Sequence, residues 1–217
     1  MGSGGGIMSE FGDMTLDEYR NALASDSPTP GGGSAAAIAL SQGAALAIMV
    51  CNLTEGKEKW KDGWSAAEET RSIAEPLLER GHELAYEDSH AFDAVMAAYR
   101  MPKDTDDERS ARSSAIRNAM IGASNVPMET AYSSFRLLDS LLPLAMHGNA
   151  NAVTDVGVSA LLISAACKGG IFNAEINLYS LPSESAEPSL TEMKNLREKC
   201  SQISRSIMQV IHDRMQS

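Results

Sequence analysis

The sequence contains a run of three glycines, Gly31 to Gly33, directly before Ser34 and an alanine-rich segment. The prolines that precede the run exclude a helix there, and Ser34 is predicted to cap the helix that follows. The first amide groups of a helix lack partners within it, and its dipole favours negative charge at that end. The run therefore predicts either a binding place for an anion or polarised ligand oxygen, or a tight turn into a crowded helix.

Asp88 is a carboxylate on an otherwise apolar helical stripe. Steps of three or four residues along this segment pass through Leu77, Gly81, Leu84, Asp88 and Phe92. An ionised carboxylate in such surroundings is paired, is hydrogen-bonded or has a raised pKa. Asp88 is therefore a candidate for acid–base chemistry or cation binding, and a structural role at a neighbouring helix end is equally open.

A second candidate carboxylate, Asp155, follows a polar, turn-like segment that contains Asn149 and begins another predicted helix. A carboxylate in a first turn often serves only as a cap or as a partner of the helix dipole. Asn173 shares its helix face, with Asn177 close by, but lies about 27 Å away at 1.5 Å per residue. A site that uses both ends of this helix would need an extended ligand or a second subunit.

Long helices must position these residues. Apolar residues recur at helical spacing, capping-box sequences begin at Thr15 and Thr105, and no segment alternates with period two for long. We expect an all-α protein, a bundle of about five to six long antiparallel helices with short connections. The predicted helices span residues 15–25, 34–54, 65–100, 105–142 with a kink near Pro127, 152–179 and 189–215.

The amino-acid composition argues against nucleic acid and membrane as binding partners. The 217 residues carry 18 Lys and Arg against 29 Asp and Glu, a formal charge of −11, which makes a nucleic-acid-binding surface improbable. The longest apolar stretch, residues 35–51, contains Ser41, Gln42 and Gly43, so it is predicted to be a buried helix rather than a membrane span. Residues 1–7 look like a remnant of expression, and residues 8–217 are expected to form a single domain.

The spacing of the cysteines and histidines bears on the cellular location of the protein and on whether it has a metal site. Cys51, Cys167 and Cys200 show no C-x-x-C spacing, which together with the lack of a signal-peptide pattern predicts a cytoplasmic protein. The four histidines form no metal-ligand motif, so no dedicated metal site is expected.

Four segments, residues 27–34, 52–57, 88–92 and 148–155, resemble the cyclodeaminase domain of formiminotransferase-cyclodeaminases and their stand-alone relatives, the methenyltetrahydrofolate cyclohydrolases. The similarity covers roughly residues 14–215. It implies an all-helical fold, a homodimer or larger assembly, and one-carbon chemistry on a tetrahydrofolate substrate without a metal. A separate formiminotransferase is a possible partner.

The resemblance also implies site residues. Asp155 and Asp88 would be acid–base or cation-stabilising groups, and Lys57 would pair with the glutamate tail of the substrate. The chain departs from the family's more basic run here, since it reads Gly56-Lys-Glu-Lys-Trp60. The remaining substrate-binding residues would be Pro30, Gly31, Gly32, Gly33 and Ser34, whose backbone would hold a pterin or carboxylate oxygen, together with Asn149, Asn173 and Asn177.

Three functions remain open from the sequence. Because no formiminotransferase domain is attached, the first expectation is the cyclohydrolase reaction, in which 5,10-methenyltetrahydrofolate and water give 10-formyltetrahydrofolate. The alternative is the cyclodeaminase reaction, which releases ammonia from 5-formiminotetrahydrofolate. Both pass through a tetrahedral carbon between N5 and N10 and involve an amidinium-like cation, which a carboxylate would stabilise. The third possibility is an inactive helical assembly module.

Overall fold

The structure, a computed structural model, describes residues 11–216, so the expected expression remnant lies outside the described residues. Within this range the ordered elements are α-helices and two short 3-10 helices, which confirms the all-α prediction. The 3-10 helices are Glu58–Gly63 and Ala150–Ala152. The α-helices are α1 (Leu16–Leu23), α2 (Gly32–Thr54), α3 (Trp64–Tyr99), α4 (Asp106–His147), α5 (Val153–Leu178) and α6 (Ser183–Gln216).

Local sequence signals account for several helix ends. The Thr15 hydroxyl accepts a hydrogen bond from the Glu18 amide, and the Glu18 carboxylate accepts one from the Thr15 amide, as expected for a capping box. Thr105 and Glu108 begin α4 in the same way. Beyond the end of α2, Gly56 has a φ of 68°, a conformation that glycine adopts without steric cost.

Two boundaries differ from the predictions because packing overrides a local signal. Helix α6 begins at Ser183 rather than near residue 189 and continues through Pro188. Ala186 is buried in these extra turns, which offsets the hydrogen bond that the proline removes. Helix α4 likewise continues through Pro127 to His147 as one element, beyond the predicted end.

The core is formed by α2, α3, α4 and α5, with α6 packed on α4 and α5. The alanine-rich α2 is buried against α3 and α5, as the sequence predicts. Small residues allow these close crossings: a β-carbon on Gly43 would lie 2.5 Å from Cγ1 of Ile163 on α5, and one on Gly81 of α3 would lie 2.8 Å from the Ala37 carbonyl oxygen.

Helices α2 and α5 run antiparallel. Gly32, at the start of α2, faces Asn173 near the end of α5, and Ser159 near the start of α5 donates a 2.8 Å hydrogen bond to the Gly43 carbonyl. By length and composition alone, Gly32–Thr54 and Ala150–Leu178 would also suffice to cross a membrane. In this fold both segments supply residues to the buried core. Because the two helices are antiparallel, the end of α5 lies beside the start of α2, and the start of α5 lies at the opposite end of the bundle.

Candidate active site

A cavity of about 470 Å³ lies where the start of α2, the second half of α3 and the end of α5 meet. One side is polar and the other is apolar, so the cavity suits a ligand that has both polar and apolar parts. The polar side is formed by Gly31, Gly32, Gly33, Asp88, Asn173 and Asn177. The apolar side is formed by Phe92, Val95, Met96, Tyr99 and Met120.

The Asp88 carboxylate rests against the first turn of α2. Its Oδ2 accepts a 3.1 Å hydrogen bond from the Ser34 hydroxyl, and the carboxylate also accepts one from the Ser34 backbone amide. A β-carbon on Gly33 would lie 2.2 Å from Oδ1 of Asp88, a distance that no side chain tolerates. The glycine therefore makes room for the carboxylate at the positive end of the helix dipole.

This geometry corrects the expected role of Ser34. The N-cap of α2 is Gly31, so the prediction that Ser34 caps the helix is wrong. Because the helix begins earlier, the Ser34 hydroxyl is free to lie between Asp88 and Ser89, 3.2 Å from the Ser89 hydroxyl. The Ser34 amide is likewise taken by the protein's own carboxylate rather than left for a ligand oxygen. Pro30 is buried and lines a neighbouring cleft instead of the main cavity.

The environment of Asp88 changes its acidity. Burial raises the pKa of the Asp88 carboxyl above its ordinary value, and the two hydrogen bonds from Ser34 oppose this shift. Burial and the nearby charge of Asp88 also raise the pKa of the Tyr19 phenol. A carboxyl with a raised pKa gains and releases protons closer to neutral pH, as a general acid or base must do.

Two amides from α5 complete the polar side. The Asn173 Nδ2 donates to the Gly169 carbonyl at 2.8 Å, and the Asn177 Nδ2 donates to the Ala123 carbonyl at 2.8 Å. Among residues 11–216 no group donates to either Oδ1. The two asparagines thus offer hydrogen-bond acceptors, which suit a ligand edge that carries N–H groups.

The other predicted site residues lie at the opposite end of α2 and α5, and none lines this cavity. Asn149 is buried at the helix junction, where its side chain donates to the Leu53 carbonyl at 2.8 Å. Asp155 is half-buried in the first turn of α5, and Lys57 is exposed beyond the end of α2. The substrate-binding and catalytic roles of these three residues stay predictions.

Sequence analysis did not identify the apolar wall of the cavity. Val95, Tyr99 and Met120 were not among the predicted site residues, yet they line the cavity. A signal was present on α3, where Asp88, Phe92 and Val95 follow one another at helical spacing on one face. A stripe that begins with a carboxylate indicates a cavity wall as readily as a core.

The described part of the chain offers few groups for a metal. Within residues 11–216 no cluster of three or more His, Cys, Asp or Glu side chains is placed to hold a metal ion. The groups that face the cavity include a single carboxylate, two amides and an apolar wall. Fold and site together define an all-helical protein with a small-molecule site built around a carboxylate at a helix N-terminus.

Comparison with known proteins identifies the family within this class. Residues 15–196 match the family model described as Formiminotransferase-cyclodeaminase, and the chain belongs to this family. The resemblance inferred from the sequence motifs is thereby confirmed.

Relatives of two lengths match the chain. It is 34% identical to a methenyltetrahydrofolate cyclohydrolase of Methylorubrum extorquens, over 94% of this chain and 99% of the relative. It is also 34% identical to the formimidoyltransferase-cyclodeaminase of Gallus gallus, over 92% of this chain but only 37% of that longer protein. The chain thus spans about the full length of the first relative and roughly a third of the second.

A solved structure shares the fold. The crystal structure of formiminotetrahydrofolate cyclodeaminase from Thermotoga maritima superposes with a TM-score of 0.82 at 26% sequence identity. The match covers 94% of this chain and 98% of the other. The helical bundle described above is therefore the fold of a cyclodeaminase.

Proposed function

We propose that this chain is a methenyltetrahydrofolate cyclohydrolase, an enzyme that converts 5,10-methenyltetrahydrofolate and water into 10-formyltetrahydrofolate. The observation that carries the proposal is the match to a cyclohydrolase over nearly the full length of both proteins. The proposed site is the cavity at Asp88, and the proposed location is the cytoplasm.

The cavity suits the charge and shape of this substrate. The methenyl carbon belongs to an amidinium cation, and Asp88 supplies the opposite charge beside the cavity. The pterin ring carries N–H donors that match the free Oδ1 acceptors of Asn173 and Asn177. Phe92, Met96 and the other apolar residues offer a wall for the flat rings.

Asp88 would also move the proton that the reaction requires. Water attacks the methenyl carbon, and one of its protons passes to the Asp88 carboxylate. In the resulting tetrahedral intermediate, the bond from carbon to N5 breaks as Asp88 returns that proton to N5. The hydroxyl of the intermediate releases its proton to solvent as the N10-formyl carbonyl forms, so one proton is released overall. The Ser34 hydrogen bonds hold the carboxylate in place throughout.

The cyclodeaminase reaction is the second candidate, and the similarity to the Thermotoga maritima cyclodeaminase favours it. N10 would attack the formimino carbon, and its proton would pass to the imino nitrogen, which becomes an amino group. That amino group would take up a second proton and leave as ammonia as the same amidinium cation forms. A protonated Asp88 would supply that proton. A separate formiminotransferase would be the partner that provides this substrate.

One experiment distinguishes the candidates. The purified protein is incubated separately with 5,10-methenyl- and 5-formiminotetrahydrofolate while the methenyl chromophore and ammonia are followed. Accelerated loss of the chromophore with 10-formyl product supports the cyclohydrolase. Appearance of the chromophore with ammonia supports the cyclodeaminase and overturns the first proposal. Folate binding without either reaction would indicate the inactive assembly module.

We further propose that the protein is a homodimer that pairs through the outer face of α5. Val158, Leu161, Phe172 and Ile176 lie on one face of the helix and are 49% to 65% exposed. Since α5 is also apolar on its buried side, it has the composition of a helix covered all round. Met49 and Leu53 of the adjacent α2 extend the exposed apolar area. A second copy, which offers the same face, is the proposed occupant.

Such a dimer would join the two groups of candidate residues. A twofold axis near the middle of α5 pairs this helix with its copy in antiparallel orientation. The Asp155 end of one helix would then lie beside the Asn173 end of the other. We therefore propose that each active site combines the Asp88 cavity of one chain with the Asp155 region of the second copy.

A further inference from the structure

A second cleft adjoins the candidate active site. It has a volume of about 220 Å³ and lies between α4 and the turn that joins α5 to α6. Met120 and Ser180 line both this cleft and the main cavity, so the two spaces adjoin at these residues. The remaining lining residues are Ser113, Ile116, Arg117, Leu181 and Pro182.

Arg117 brings a positive charge to this cleft. In the described part of the chain it makes no ion pair and no side-chain hydrogen bond. Two other arginines of α4 are engaged: Arg109 pairs with Asp106, and Arg112 donates to the Tyr99 carbonyl at 3.0 Å. An available guanidinium beside a cleft in a chain of net charge −11 is suited to carboxylate recognition.

We propose that this cleft binds the glutamate tail of the folate substrate and that Arg117 pairs with a tail carboxylate. The inference rests on the proposed function, which places the reactive end of the substrate at Asp88. A folate carries its carboxylates at the end opposite the pterin ring, so its tail must leave the cavity. Passage between Met120 and Ser180 takes the tail to Arg117, while Ile116 and Leu181 contact its methylene groups.

The same geometry argues against Lys57 of the same chain as the tail partner. Lys57 follows the end of α2, whereas the cavity lies at the start of that helix. From Gly32 to Thr54 the helix axis extends about 33 Å at 1.5 Å per residue. A substrate seated at Asp88 that enters the adjoining cleft therefore directs its tail to Arg117.

The test compares substrates with and without the tail. Arg117→Ala and Arg117→Lys are assayed with 5,10-methenyltetrahydrofolate and with the corresponding methenyl derivative of tetrahydropteroate, which lacks glutamate. The matched control is Arg136→Ala, which removes the same charge from an exposed position about 28 Å further along α4. If the wild-type chain binds folates without converting them, dissociation constants measured by calorimetry replace KM.

The expected result is specific to the tail. Arg117→Ala raises KM for the glutamate-bearing substrate by about 10-fold or more, with kcat nearly unchanged, since a charged hydrogen bond contributes to binding alone. KM for the tail-free substrate is unchanged, Arg117→Lys restores part of the loss, and Arg136→Ala has no effect. An unchanged KM, or an equal rise for both substrates, overturns the tail site while leaving the proposed function intact. A wild-type chain that binds neither of the two methenyl compounds overturns both the tail site and the proposed function.

Discussion

Gly33 and Asp88 lie on different helices and touch so closely that any other residue at position 33 would displace the carboxylate. The nearest Asp88 oxygen would be 2.2 Å from a β-carbon at residue 33. This contact places a negative charge at the amino end of α2, where Ser34 donates two hydrogen bonds to it. The helix dipole and these donors hold a candidate catalytic group at the edge of the cavity.

The first prediction concerns Gly33→Ala. The added methyl group must push the Asp88 carboxylate away from the Ser34 donors, so we expect turnover to fall by about 10²-fold and the melting temperature to drop. Gly122→Ala is the matched control, because no atom lies within 4 Å of the corresponding β-carbon on α4. That variant is expected to keep its activity and to gain about 0.5–1 kcal/mol in stability from helix propensity. Equal effects of the two substitutions would contradict the steric account.

The second prediction concerns Asp88→Asn. If Asp88 moves the proton and balances the cation, the variant should fold normally but lose about 10²-fold or more in kcat. Asp139→Asn, at an exposed position of α4, is the control and should retain full turnover. Near-normal activity of Asp88→Asn in steady-state assays would remove Asp88 from the proton-transfer role.

The third prediction concerns pH. Because burial raises the pKa of Asp88, the folded state favours the protonated form, and the contribution of this group to stability declines as pH rises through the raised pKa. The melting temperature of Asp88→Asn should therefore equal or exceed that of the wild type at neutral pH. Any difference in melting temperature in favour of the variant should disappear at low pH. Turnover by the cyclohydrolase route should rise with pH through an apparent pKa above that of an ordinary aspartate. A pH–rate profile without such a limb would argue against a general base at Asp88.

The fourth prediction concerns assembly. Leu161 is 56% exposed on the apolar face of α5, so Leu161→Glu should bury an unpaired charge in the dimer and yield monomers. Leu16→Glu is the control, since Leu16 is 85% exposed on α1 and should tolerate the change. Sedimentation or light scattering measures the mass of each variant. A wild-type chain that is monomeric at micromolar concentration would refute the proposed interface.

The fifth prediction tests the shared site. Asp155→Asn alone should lower kcat by about 10²-fold or more, since asparagine still caps a helix. When Asp88→Asn and Asp155→Asn chains are refolded together, each mixed dimer should contain one intact site, so about a quarter of wild-type activity should return. Two chains that each hold a complete site would show no recovery. Asp139→Asn chains mixed with Asp88→Asn chains serve as the reference for unaffected subunits.

Helix identity and most helix ends followed from the sequence because they depend on neighbours a few residues away. The capping boxes at Thr15 and Thr105 are local signals, and each appears where it was expected. The start of α6 could not be predicted from the sequence. Burial of Ala186 stabilises the helical turns before Pro188, which the proline alone would disfavour. Packing between helices decided that boundary.

The same distinction between local sequence and tertiary packing applies to the candidate site. The sequence by itself identified Asp88, because a carboxylate on an apolar stripe is conspicuous, and it recognised the glycine run and the two asparagines of α5. Only the tertiary structure decided that the glycines make room for Asp88 and that Ser34 holds it, since residues 54 positions apart meet only when α2 and α3 pack together. It also decided that Asp155 lies at the far end of the bundle, because a straight helix separates its two ends and no turn within α5 brings them together.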